Sequence, residues 1–131
     1  MYSVNVYSKT SEGNKLVSNN FKVKEFACKD GSDAVFISPK LVQVLQKIRT
    51  HFGRPVTITS AFRSQAHNTK EGGVANSQHL YGTAADIVVT GIAPAKVAAY
   101  VETLLPNSGG IGVYKAFTHI DVRQKKARWN G

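Results

Sequence analysis

The segment AADIVV, residues 84–89, sets one carboxylate into an apolar run, and it constrains the fold more than any other stretch. Two alanines precede Asp86 and β-branched residues follow it, the pattern of a buried strand. A carboxylate buried there without a partner would take up a proton rather than stay charged. A charged Asp86 therefore demands a partner. His79, seven residues upstream across the glycine-containing turn HLYGT, is placed to share it.

The rest of the chain supplies the scaffold. SPKLVQVLQKIRTHFG predicts a helix with Ser38 as N-cap, Pro39 in the first position and Gly53 at the end. Leu41, Val44, Leu45, Ile48 and Phe52 form its apolar stripe. PVTITSAF reads as a strand, RSQAHNTKEGG as a polar loop or short helix, and PAKVAAYVETLL as a second amphipathic helix. IGVYKAF and THIDVR predict the arms of a final hairpin, followed by a basic tail, QKKARWNG. FKVKEFACKDGSD alternates and then turns at Asp30–Asp33. Residues 1–20 are polar and irregular, with a short strand at Tyr2–Tyr7, and are expected to be an N-terminal extension to a domain at 21–131. Without a regular βαβ alternation, the expected class is α+β with a mainly antiparallel sheet.

A chain of 131 residues is long enough to bury a core in one domain. No window approaches the roughly 20 apolar residues that span a bilayer. MYSVNVYSKT lacks a basic region followed by an apolar one, so no secretory signal is expected. The single Cys28 excludes an internal disulfide and multi-cysteine zinc sites; in EFACKDG it is expected to be a small buried hydrophobe. Seventeen Lys and Arg against eight Asp and Glu give a net charge of +9, which favours a polyanionic partner: nucleic acid, anionic lipid or an anionic wall polymer.

THIDVR narrows the choice. As a strand it puts Thr118, Ile120 and Val122 on the core face and His119, Asp121 and Arg123 on the other. His79, Asp86 and His119 then form two histidines and one carboxylate from separate segments, a set that binds catalytic zinc and leaves a fourth position for water. Residue type alone leaves a capping or hydrogen-bonding role open for each of them. Arg63 closes an apolar strand, where a fixed guanidinium can offer a bidentate fork to a carboxylate.

The wider pattern is Ser77, His79, Gly82, Ala84 and Asp86 in S-x-H-x-x-G-x-A-x-D, with SAFRS before it and GGIGVY and FTHIDVR after it. Together these motifs resemble the zinc D-alanyl-D-alanine carboxypeptidase family, which includes D,D-dipeptidases and L-alanyl-D-glutamate endopeptidases and shares its fold with the Hedgehog signalling domain. The resemblance runs from about Phe21 to Trp129 and is nearest the small phage and bacterial branch. It implies a Hedgehog/D,D-peptidase-like fold and one zinc ion held by His79, Asp86 and His119. It also implies that Arg63 binds a substrate carbonyl or carboxylate, with Ser77 and Tyr114 as further substrate contacts.

One departure concerns the proton-transfer group. Many relatives carry an acid three residues before the last zinc-binding histidine, and here that position is Ala116. The eight acids are Glu12, Glu25, Asp30, Asp33, Glu71, Asp86, Glu102 and Asp121. Glu102 is expected to face solvent and Glu12 lies in the N-terminal extension. Asp121 shares a face with His119, and two roles stay open for it: catalytic base, or orienting a histidine and pairing with Arg123. Glu71, His67 and Tyr114 are further candidates for proton transfer.

The implied activity is zinc-dependent hydrolysis of peptidoglycan stem peptides, as a carboxypeptidase or endopeptidase. The enzyme would act at the cell wall as a monomer with its basic surface against anionic polymer, and an endolysin of phage or prophage origin fits. Two alternatives remain open. One is a catalytically inactive zinc-binding module that recognises the wall. The other is a basic nucleic-acid-binding domain, for which KKAR is the only local support and which no reader motif supports.

Overall fold

The computed structural model describes residues 3–73 and 77–131. The start of the expected strand at Tyr2 and residues 74–76 of the GGVANSQHLYGTAADI motif lie outside the described residues.

Three sheets form. Strands β1 (Asn5–Ser8) and β4 (Ala34–Ile37) pair antiparallel, as do β2 (Leu16–Ser18) and β3 (Phe21–Lys22). The main sheet has five strands in the order β5 (Val56–Ser60), β6 (Ala84–Val89), β8 (Thr118–Asp121), β7 (Gly110–Val113) and β9 (Ala127–Asn130). Its ladders are antiparallel except β7–β9, which is parallel. With four helices around these sheets, the class is α+β, as expected.

Helix α2 (Pro39–Phe52) forms for the anticipated reasons. The Ser38 hydroxyl accepts from Leu41 N at 3.3 Å, Pro39 needs no donor in the first turn, and Gly53 closes the end in the left-handed region at φ 62°. Helix α4 (Pro94–Leu104) starts at Pro94, and both helices pack on one face of the main sheet. Leu41, Leu45, Ile48, Val97 and Val101 meet Ala85, Ile87, Val89, Ile111 and Ile120 there in the core. Each fully buried Leu, Ile or Val among them contributes about 1.5–3 kcal/mol. The polar face of the same strands is left for the site. RSQAHNTKEGG resolves into helix α3 (Gln65–Lys70), capped by the Ser64 hydroxyl on His67 N. Cys28 is buried, as its setting implied.

Three expectations are corrected. Residues 3–20 are not mainly irregular: they carry β1, β2 and the short helix α1 (Lys9–Glu12), and both strands pair across position 21 with β4 and β3. Strand β4 itself was not anticipated. QKKARWNG is not a loose tail, because residues 127–130 form β9 beside β7. Glu102 does not simply face solvent: Arg128 grips it with Nε and Nη2 at 2.9 and 2.8 Å and also donates to the carbonyls of Leu105, Ser108 and Gly109. A single guanidinium with five donors reaches these loop carbonyls together, and the Gly109 carbonyl also accepts from Ala127 N at 3.0 Å.

Candidate metal centre

One row of cross-strand neighbours runs over the whole main sheet. Ser60 on β5 pairs with Asp86 on β6, Asp86 with His119 on β8, His119 with Gly112 on β7, and Gly112 with Trp129 on β9. Residues directly opposite one another share a face, so their side chains meet on the polar side of the sheet. The adjacent row places Ala84, Asp121, Gly110 and Ala127 on that same side. The two glycines are essential to this packing. A Cβ at Gly112 would come within 2.5 Å of the Trp129 indole, and one at Gly110 would collide with the Asp121 carboxylate.

His79 arrives from a 3₁₀ turn, Gln78–Tyr81, before β6. The Ser77 hydroxyl caps this turn by accepting from His79 N at 3.2 Å. Gly82 ends it at φ 71°, where a Cβ would strike the carbonyl of Phe36. Ser38 N donates to the Gly82 carbonyl at 2.9 Å, which ties the turn to the start of α2. His79 Nδ1 lies 2.6 Å from the carbonyl of Ala61. That contact assigns the ring proton to Nδ1 and leaves the Nε2 lone pair free, 3.4 Å from Asp86 Oδ2.

Across the row, Asp86 Oδ1 meets His119 Nδ1 at 2.8 Å. The other ring nitrogen, Nε2, meets Asp121 Oδ2 at 2.8 Å. Asp121 is wholly buried. It accepts from Arg123 Nε and Nη2 at 2.8 and 2.7 Å, and from the backbone of Gly110 and Arg123. Arg63 approaches from the other end, with Nη2 3.6 Å from Asp86 Oδ2.

These contacts set the protonation states. Burial works against charge on Asp86, but its contacts with His119 and His79 outweigh it and hold the carboxyl down at about 2. Burial also opposes charge on Asp121, and the hydrogen bonds from His119 and Arg123 again win and lower it. His119 is opposed by burial in the same way, yet its bonds to Asp121 and Asp86 raise its pKa. The site is therefore anionic at its carboxylates and gathers positive charge.

The donor set fits a metal ion. One ligand atom from each of His79, Asp86 and His119 lies within 4.8 Å of the others, and all three residues are buried. Two imidazoles with a carboxylate suit zinc and leave a coordination position open. The Asp121–His119 bond is the outer contact that fixes which nitrogen of a ligating histidine faces the ion.

The cluster lies in a cavity of about 530 Å³, within the range of small-molecule sites. Arg63, Ser77 and Tyr114 line it, so all three expected substrate contacts border the cluster of His79, Asp86 and His119. Asp121 does not reach the cavity surface, and His67 and Glu71 pair with each other at 3.3 Å away from the lining. Two wall residues were missed in the sequence: Phe117, stacked on Tyr114 at 4.4 Å, and Trp129, whose ring centroid is 5.1 Å from that of His119. The alternating glycines of GGIGVY, on the same face as His119, were the available signal. A second concavity, about 550 Å³ between β1, β2 and α2, has no histidine or carboxylate in its lining.

Comparison with known proteins agrees with this geometry. Over 44 residues, 33% of this chain, the sequence is 46% identical to a zinc D-Ala-D-Ala carboxypeptidase of Streptomyces albus G, of which the match covers 17%. No helix among the described residues is long and apolar enough to cross a membrane. The profile of the Peptidase M15 family matches residues 14–121, and the chain belongs to that family.

Proposed function

We propose that this protein is a zinc peptidase that hydrolyses peptide bonds in peptidoglycan stem peptides. The observation that carries the reading is the convergence of His79, Asp86 and His119 on one wall of a cavity that Arg63 also lines. His79 Nε2, Asp86 and His119 Nδ1 hold the ion. When bound, zinc supplies Lewis acidity to a carbonyl oxygen and lowers the pKa of water toward about 7.

The chain's own residues do the rest. Arg63 holds a substrate carbonyl or carboxylate; Ser60 and Asn68 fix its fork through Nε and Nη1 at 3.1 and 3.2 Å. Asp121 orients His119 rather than acting as the base, since its oxygens are already engaged by Arg123, Gly110 and His119 and it has no access to the cavity. With the three ligands and two arginines set aside, Tyr114 is the one titratable side chain left on the described lining. Its hydroxyl accepts from Trp129 Nε1 at 2.9 Å, which leaves its proton to donate toward the reacting carbonyl or the leaving amine. The net charge of +9 concentrates the enzyme on an anionic wall.

The test is incubation of the zinc-loaded protein with peptidoglycan while released amines are followed. Release that stops on chelation is expected. A protein with stoichiometric zinc that releases nothing is not a peptidase. Ala116 and the engaged state of Asp121 favour one second reading, a zinc-dependent wall-binding module, which predicts sedimentation with the wall without release.

A further inference from the structure

The site contains two guanidinium groups at the ends of one chain of contacts. Arg63 Nη2 meets Asp86, Asp86 meets His119, His119 meets Asp121, and Asp121 meets Arg123, at 3.6, 2.8, 2.8 and 2.7 Å. Two carboxylates balance two guanidinium groups, so a bound divalent cation leaves this chain of groups with a surplus of positive charge. A site of that kind favours an anionic ligand.

The two arginines are not equivalent. Arg63 directs all three guanidinium nitrogens at protein atoms. Arg123 uses only Nε and Nη2, both on Asp121, and Nη1 has no acceptor among the described residues. Its side chain keeps 32% of its exposure and lines the cavity. Its Cζ lies 5.4 Å from the centre of the Trp129 ring, and that ring is held in turn by its bond to Tyr114. A guanidinium clamped by a carboxylate and backed by an aromatic face has already lost its rotamer freedom, which lowers the cost of binding. Arg123 follows β8 and Trp129 lies on β9, so two successive segments build this wall.

We propose that Arg123, through Nη1 and backed by Trp129, binds a second carboxylate of the substrate. Favoured substrates are then peptides with two carboxylates, one recognised at each end of the contact chain. This inference rests on the peptidase reading and names the substrate feature selected at that same site.

Trp129 is the only tryptophan in the chain, so its fluorescence reports on this wall directly. The probes are the stem-type pentapeptide L-Ala-γ-D-Glu-L-Lys-D-Ala-D-Ala and two analogues. In one the internal D-Glu carboxylate is a carboxamide; in the other the C-terminal carboxylate is. Each is titrated into the metal-free protein by fluorescence, and kcat/KM is measured with the zinc-loaded protein. Each carboxamide is expected to bind wild type at least about tenfold more weakly than the parent, as for a lost charge-assisted bond. In Arg123→Gln one of the two carboxamides is expected to bind within about twofold of the parent, while the other keeps its deficit. Loosening Asp121 weakens all three peptides by a common factor, so the ratio isolates the carboxylate contact.

The inference is overturned if wild type binds all three peptides equally, a result that needs no variant. It is also overturned if Arg123→Gln keeps the wild-type preference. Cleavage without carboxylate preference removes this subsite and leaves the peptidase reading intact. Carboxylate-selective binding without cleavage does the reverse.

Discussion

His119 and Asp121, two residues apart on β8, face the same side of the sheet, and Nε2 of the ring lies 2.8 Å from Oδ2 of the carboxylate. The other ring nitrogen faces Asp86. Asp121 therefore holds His119 by the edge that does not face Asp86, and Arg123 holds Asp121 with two parallel bonds. A carboxylate engaged in this way fixes a ring and raises its basicity.

Asp121→Asn is expected to weaken zinc binding by about 10–100-fold while leaving the fold in place. Competition against a chelator of known affinity, with circular dichroism as the control, measures both. Wild-type zinc affinity in the variant would refute the orienting role.

The protonation states predict opposite pH trends for the metal-free and zinc-loaded protein. His119 has a raised pKa when folded, so its contribution to stability is complete below the ordinary imidazole value and is lost as pH rises through the raised one. Asp86 is lowered to about 2, so its contribution is present above the ordinary carboxyl value and is lost as pH falls toward 2. The metal-free protein should thus be most stable between about pH 4 and 6.5 and lose stability at higher pH. Zinc needs a deprotonated His119 Nδ1, so the rise in Tm on adding zinc should grow from about pH 6 to about pH 8 as the competing proton leaves. A shift that shrinks over that range contradicts the scheme.

Tyr114→Phe keeps the stacking on Phe117 and removes the hydroxyl that accepts from Trp129. The expected result is a kcat lower by about 10²-fold with KM little changed, the pattern of a contact made in the transition state. A loss confined to KM would make Tyr114 a binding residue only.

Gly112→Val fills the space over which Trp129 reaches His119. It should cost about 1–3 kcal/mol in denaturant unfolding, the usual range for overpacking. Trp129 emission should also move to the red as the ring is pushed into water. Unchanged emission would show that β9 adjusts without releasing the ring.

The legible parts of the sequence were those governed by local rules. Ser38, Pro39 and Gly53 announce α2 by capping chemistry, and the period-two pattern of THIDVR separates Ile120 from His119. His79, Asp86 and His119 stood out because a carboxylate in an apolar run needs a cation. What escaped depends on contacts between distant segments. RWN reads as a polar terminus until Arg128 finds Glu102 and the loop carbonyls at 105–109, contacts that no local pattern reveals. Asp121 could not be assigned between base and orienter either, because the choice turns on its complete burial and on Arg123 occupying its oxygens.

If His79, Asp86 and His119 together hold one zinc ion, removing either of the first two should release it. Metal content of the purified protein is measured beside His79→Ala and Asp86→Ala, with folding checked by circular dichroism. One zinc per chain is expected in wild type and substoichiometric zinc in both folded variants. Stoichiometric zinc retained in both would contradict this ligand set.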